Sequence, residues 1–192
     1  MAYGFVPVRS PMTGHPTPNC LSSYEIADDY GTMIIAGDLV ALHTTGYLIN
    51  HTASLIMVGV FAGVEYVDET TGDVRFDSVW AASQSIKAGT KARAYVFDDP
   101  NTVFKAEADQ NTTALTRAQV GENVDTDAAA GNSAVKTSLE GIDSTALTQN
   151  TTGNFKLLGS AELDESWSAA GTVMDVYVMP NEHFYKAVSS GI

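Results

Sequence analysis

The sequence predicts an all-β protein, an antiparallel β-barrel or sandwich preceded by an extended, proline-rich N-terminal arm. Three observations carry that prediction. Short runs rich in Val, Ile and aromatic residues alternate with polar positions. Turn signals built from Gly, Asp, Asn and Pro recur roughly every 8–15 residues. No segment sustains the 3.6-residue apolar period of a helix.

Four of the six prolines stand at positions 7, 11, 16 and 18. Proline fixes φ and removes a backbone donor, so residues 1–20 cannot form a helix and read as an extended arm. Tyr3, Phe5, Val6 and Val8 make the arm partly apolar. Such an arm packs either on its own body or on a neighbouring subunit. The second reading makes Tyr3, Phe5, Val6, Pro7, Val8, Pro11, Pro16 and Pro18 the candidate interface residues. Residues 21–192 then form the β domain, with a division into two halves expected near 110–125.

Within that domain, "TMIIAGDLVAL" (32–42) places a Gly-Asp turn or bulge between two short apolar runs. "SLIMVGVFAGVEYV" (54–67) is a strand: Gly59, Gly63 and the β-branched residues disfavour helix. "DETTGD" (68–73) is the hairpin loop that returns it into "VRFDSVWAA" (74–82). "ARAYVFDD" (92–99) and "TVFKAEAD" (102–109) alternate as strands around a corner at Pro100-Asn101. "TTALTRAQVGEN" (112–123) fits either a short helix capped by Thr112 or another strand. "AAAGNSAVKTSLE" (128–140) contains a turn and a strand. "NFKLLGSAEL" (154–163) and "TVMDVYVM" (172–179) are strands, and "EHFYKAV" (182–188) closes the chain.

Composition narrows the function. There are 23 acidic against 10 basic residues, a net charge of −13, with no Lys/Arg cluster and no block of like charge. Such a surface repels phosphates and argues against nucleic-acid binding. Cys20 is the single cysteine, so no intrachain disulfide forms; a thiolate role would need nearby His15 as its base, in an arm of prolines. The N-terminus has no basic region followed by an apolar stretch, and the longest apolar run, 55–67, is shorter than the about 20 residues a membrane-spanning helix needs. No membrane partner is expected.

Catalytic patterns are weak. The histidines, 15, 43, 51 and 183, lack metal-ligand spacing, and neither a nucleophile elbow nor a phosphate-binding glycine loop appears. Asp98 and Asp99, with Glu107 and Asp109, suggest a calcium site, but a strand of roughly 20 Å separates the two groups. Asp before Pro is better read as a turn former. No metal or cofactor is therefore expected, and the protein reads as a non-enzyme. Asn50-His51-Thr52, Asn111-Thr112-Thr113 and Asn150-Thr151-Thr152 fit the glycan-acceptor pattern, which a Thr-rich chain produces by chance. Trp80 belongs to an alternating strand and reads as core. Trp167 and the tyrosines are candidate sugar-stacking groups.

One internal echo stands out. "AGTKARAYVFDDPNTVF" (88–104) and "AGTVMDVYVMPNEHF" (170–184) share Ala-Gly-Thr, Tyr-Val, Pro-Asn and Phe. The aspartates have no counterpart in the second copy, so what recurs is a strand and its corner. Duplication and chance similarity of two strand ends both account for it.

The order "YVFDDPNTVFKAEAD", "VGENVDTDAAAGNSAVKTSLE", "NFKLLGSAEL" and "AGTVMDVYVMPNEHFY", over roughly residues 90–188, resembles the β-structured capsid decoration (cement) proteins of tailed bacteriophages. The resemblance implies a homotrimeric protein on the outer surface of a phage head, made in the host cytoplasm. Its partner would be the major capsid protein, and it would brace the shell against internal DNA pressure. Other readings are a tail or adhesin module that binds host-surface glycans, an internal or connector head protein, and a hydrolase on a β-scaffold.

Overall fold

The structure, a computed structural model, describes residues 3–9, 21–52, 55–109, 114–127, 131–132, 134–148, 153–161, 167 and 172–186. It is all-β, as the sequence predicts, and built around two six-stranded sheets with a core under each. No helix among the described residues is long and apolar enough to cross a membrane.

The first sheet comes from β2 (Leu21–Ile26), β4 (Leu39–Leu42), β5 (Leu48–Asn50), β6 (Met57–Val67), β7 (Val74–Asp77) and β9 (Ala92–Phe97), in the order β2-β9-β6-β4-β5. The long β6 serves three neighbours. One edge pairs with β9, while the other pairs with β4 near Met57–Val60 and with β7 along Val64–Val67. The predicted 54–82 hairpin is this β6–β7 pair. Beyond it the chain turns away, and β8 (Val79–Trp80) joins β3 (Ile34–Ile35) in a separate two-stranded ladder. Ile34, Val40, Val58, Phe61, Val96 and the fully buried Trp80 form the core of this half. Each large apolar side chain removed from water contributes about 1.5–3 kcal/mol, so alternation along β9 fixes which face turns inward.

The second half holds a closed five-stranded barrel. Its strands are β10 (Val103–Ala108), β11 (Asn123–Asp127), β12 (Gly141–Thr148), β13 (Phe155–Ser160) and β14 (Met174–Pro180), in the order β10-β12-β11-β13-β14 and back to β10. Closure removes exposed sheet edges. Among the described residues, β10 and β12 meet in parallel at Ala108 with Ile142, and the other barrel pairings are antiparallel. Phe104, Val124, Phe155, Leu157, Val176 and Val178 fill the interior. Leu39, Met57 and Val60 of the first half belong to this same core, so the two halves share apolar packing. The chain passes from one sheet to the other at the Asp98–Thr102 corner, earlier than the 110–125 division the sequence suggests.

Residues 3–9 of the arm are extended, and they dock on the protein's own body. β1 (Val6–Arg9) adds to β10 through Val6–Lys105 and Pro7–Phe104. Pro7 is tolerated because β1 is an edge strand. Phe5 is 1% exposed and stacks on Phe155 at 4.8 Å, with Phe104 edge-on at 6.5 Å. Gly4 makes the entry possible: its φ is +76°, and a Cβ there would lie 2.7 Å from the Gly37 carbonyl and from Ser138.

Two local expectations change. Among its described residues, segment 112–123 forms a 3-10 turn, Arg117–Gln119, entered at Thr116 and tightened by the Gln119 side chain accepting from the Thr116 N–H; Thr112 lies outside the described residues. Within 128–140 the described residues hold a turn closed by an isolated bridge, Asn132 with Thr137, and the strand begins only at Gly141.

Candidate functional site

Of the eight residues expected at an interface, the structure describes five. Phe5 is buried in the barrel and so is not available to a neighbouring subunit; its ring finds a complete aromatic pocket within its own chain. Tyr3 donates to Asp175 Oδ1 at 2.8 Å and has the Lys105 ammonium 5.6 Å from its ring centre. Pro7 and Val8 are half-buried, and Val6 is exposed. Pro11, Pro16 and Pro18 lie outside the described residues.

The Asp98–Asn101 corner is a turn, as read from the sequence. Asp99 Oδ1 accepts the Asn101 N–H at 2.9 Å, and the Asp99 carbonyl accepts that of Thr102 at 3.0 Å. Asp98 has a different task. Its Oδ2 accepts the Tyr24 hydroxyl at 2.7 Å, and the Tyr24 and Tyr185 oxygens are also 2.7 Å apart. Burial, then these two hydrogen bonds, push the Tyr24 phenol far above its ordinary range, so it remains a neutral donor. Glu107 and Asp109 do not join this corner: Asp109 Oδ1 accepts from Ser144 at 3.1 Å. Among the described residues no group of three or more potential metal ligands converges.

His183 sits where the second echo ends, close enough to the first corner to feel Asp98 and Asp99. It is buried, Nδ1 accepts the Tyr185 N–H at 3.1 Å, and Nε2 lies toward the Val58 carbonyl without a well-formed hydrogen bond. Burial first, then the Lys186 charge, lower its pKa to about 4. His51 is likewise buried and held neutral, with Nε2 at 2.9 Å from the Leu55 carbonyl. His43 is exposed and bonds Thr45.

A buried acid pair lies between the halves, and nothing in the local sequence marks it. Glu140 Oε2 accepts the Leu39 N–H at 2.7 Å, and Asp38 Oδ2 accepts that of Ile35 at 2.7 Å. Asp38 Oδ1 has no hydrogen-bond partner among the described residues. Burial, reinforced by Asp38 and Asp127, holds the Glu140 carboxyl well above its usual range, and burial also raises Asp38. Asp38 and Glu140 are 3% and 4% exposed, so the pair is not open to a substrate in this structure.

Surface features point elsewhere. β7 pairs only with β6, which leaves its outer edge unpaired among the named strands. Val74 and Phe76, one strand period apart, are 55% and 73% exposed. Leu21 and Phe76 line one shallow apolar cleft with Gly63 and Tyr95. Trp167, unlike Trp80, is half-buried and lines a second cleft with Arg117 and Tyr177. Neither surface is marked by a sequence motif; exposure of an apolar residue in an alternating strand emerges only from the pairing.

No protein family, no curated protein and no solved structure matches this chain.

Proposed function

We propose that the protein is a non-enzymatic structural protein of a phage virion, a decoration protein that binds the outer surface of the head and braces it. The observation that carries this reading is the pair of exposed side chains Val74 and Phe76 on β7, a strand whose outer edge is unpaired among the named strands, with Leu21 of β2 sharing the apolar cleft beside Phe76. Large apolar side chains on an unpaired edge mark an interaction surface. The resemblance in the second half supports it, as does the net charge of −13, unsuited to the DNA-facing side. A partner that binds only the assembled lattice stabilises that lattice by mass action.

Deleting residues 1–20 would remove Phe5 from the core, so the test uses the edge strand instead. Wild type and Phe76→Ser are mixed with empty, expanded heads of the phage whose genome encodes the chain, and co-sedimentation is measured. Wild type is expected to saturate the heads and Phe76→Ser to bind at least about tenfold more weakly, while both melt at the same temperature. Failure of wild type to bind heads overturns the assignment; equal binding by both removes β7 from it.

A further inference from the structure

On the other sheet, a cleft of about 390 Å³ opens between Arg117, Val120, Gly159, Ser160, Trp167 and Tyr177. Its charge is out of keeping with the rest of the molecule. The chain carries 23 acids and 10 bases, yet among the described residues no carboxylate lines this cleft. The comparable clefts on the first sheet each include Glu65 or Asp77. Arg75, Lys91, Lys105 and Lys136 are each paired with a carboxylate; Arg117, like Lys87, Arg93, Lys156 and Lys186, forms no ion pair among the described residues.

Arg117 is also held in place. Its 3-10 turn is tied to β13 by Gly121 N–H to the Leu157 carbonyl at 2.8 Å and by Leu157 N–H to the Glu122 carbonyl at 2.9 Å. At the floor, Gly159 stands opposite Tyr177 where the β13–β14 register shifts, and a Cβ there would meet nothing within 4 Å. Gly63 stands opposite Tyr95 at the same kind of shift in the first sheet, but a Cβ at Gly63 would lie 3.0 Å from the Asp77 carbonyl of β7. The opening is therefore not an unavoidable product of the bulge.

We propose that this cleft binds a sugar bearing a carboxylate, of the hexuronate class. A planar guanidinium is suited to bidentate capture of a carboxylate. Trp167 and Tyr177 offer apolar faces with polar tips to the C–H face of a pyranose, and the bare main chain at Gly159 lets ring hydroxyls approach. The net charge of −13 repels an anion at long range, so the affinity rests on contacts inside the cleft and is measured at physiological ionic strength, where the screening length is about 8 Å.

The test titrates the ¹⁵N-labelled full chain with glucuronate, glucose and benzoate. It follows the Trp167 indole N–H signal, identified by its loss in Trp167→Phe. Glucuronate is expected to shift that signal saturably with a dissociation constant on the order of millimolar, and glucose to bind about tenfold more weakly or less. Arg117→Gln brings glucuronate down to the level of glucose without changing the melting temperature, since Arg117 is on an exposed turn, and Arg117→Lys restores part of the loss. A hexuronate disaccharide that binds more tightly than the monosaccharide identifies a polymeric source, and equal affinity a free sugar. The proposal is overturned if glucuronate gives no saturable shift, if benzoate binds as tightly, or if Arg117→Gln binds like wild type. Because the cleft and β7 lie on different sheets, these results are independent of the head-binding experiment.

Discussion

Replacing Phe5 with alanine tests whether the first residues belong to the fold or to a partner. Phe5 is 1% exposed, stacked on Phe155 at 4.8 Å and edge-on to Phe104 at 6.5 Å. Truncating a buried phenylalanine costs about 3–5 kcal/mol through lost transfer energy and the cavity left behind. Two aromatic contacts of about 0.5–1.5 kcal/mol each place Phe5→Ala in the upper part of that range. For a chain of this length, each kcal/mol shifts the melting temperature by about 2–4 °C, so a fall of roughly 10 °C or more is expected. Val6→Ala, one residue on but 44% exposed, should change it by no more than about 2 °C. Far-UV circular dichroism melts are recorded at two protein concentrations about tenfold apart, because a contact made with a neighbouring subunit gives a concentration-dependent transition. Two results refute the reasoning. Equal, negligible shifts for Phe5→Ala and Val6→Ala would mean the arm is not docked, and a Phe5→Ala deficit that vanishes at the lower concentration would mean it docks on another copy.

Two further predictions concern protons. Burial lowers His183 from 6.5 to about 4, so the neutral ring favours folding fully above about pH 6.5, and that contribution of about 3 kcal/mol is lost as pH falls toward 4; an NMR titration of the His183 ring with a midpoint above 6 would contradict this. Glu140 has the opposite sign, because its folded pKa is raised. Its protonated form suits the fold at low pH, and stability is lost as pH climbs from the ordinary carboxyl range through the raised value, so Glu140→Gln should gain melting temperature relative to wild type as pH rises, and parallel pH profiles would contradict the upward shift.

What was legible in the sequence follows the strength of alternation. β6, β9, β10, β13 and β14 carry apolar and aromatic residues such as Val, Phe and Tyr, and in β9 and β14 the inward face is the one the alternation marks, whereas β6 is buried at every position from Met57 to Phe61. β2 (LSSYEI), β11 (NVDTD) and β12 (GIDSTALT) escape notice because they are polar; their pairing partners, not their own side chains, make them strands. β1 escapes because Pro7 argues against a ladder, an objection that fails only at a sheet edge. The Asp99 turn was readable because its hydrogen bonds are local. Glu140 and Asp38 were not, because no local pattern announces that distant carboxyls will be buried side by side. Phe5 shows the limit most plainly: an apolar residue ahead of a proline reveals a wish to be buried, not whose core will bury it.

The shared words of "AYVFDDPN" and "VYVMPN" acquire a physical meaning once the register is known. In both strands Val points inward and Tyr outward: Val96 and Val178 are buried, while Tyr95 and Tyr177 are half-exposed. Across the ladder, Val96 faces Phe61 and Tyr95 faces Gly63; Val178 faces Leu157 and Tyr177 faces Gly159, with a register shift at the same step in each pair. In each pair the tyrosine stands across the ladder from a glycine at the point where the register shifts. The correspondence thus reaches two glycines that lie outside the two matching stretches. The halves part company between the paired strands: residues 68–91 separate β6 from β9 and include β7 and β8, whereas the shorter 161–173 separates β13 from β14. β7 covers Gly63 and displays Phe76, whereas a Cβ at Gly159 would meet nothing within 4 Å among the described residues. Both proposed binding surfaces therefore arise at the one place where two otherwise similar strand pairs differ. That is where a repeated scaffold has room to acquire function without disturbing its core.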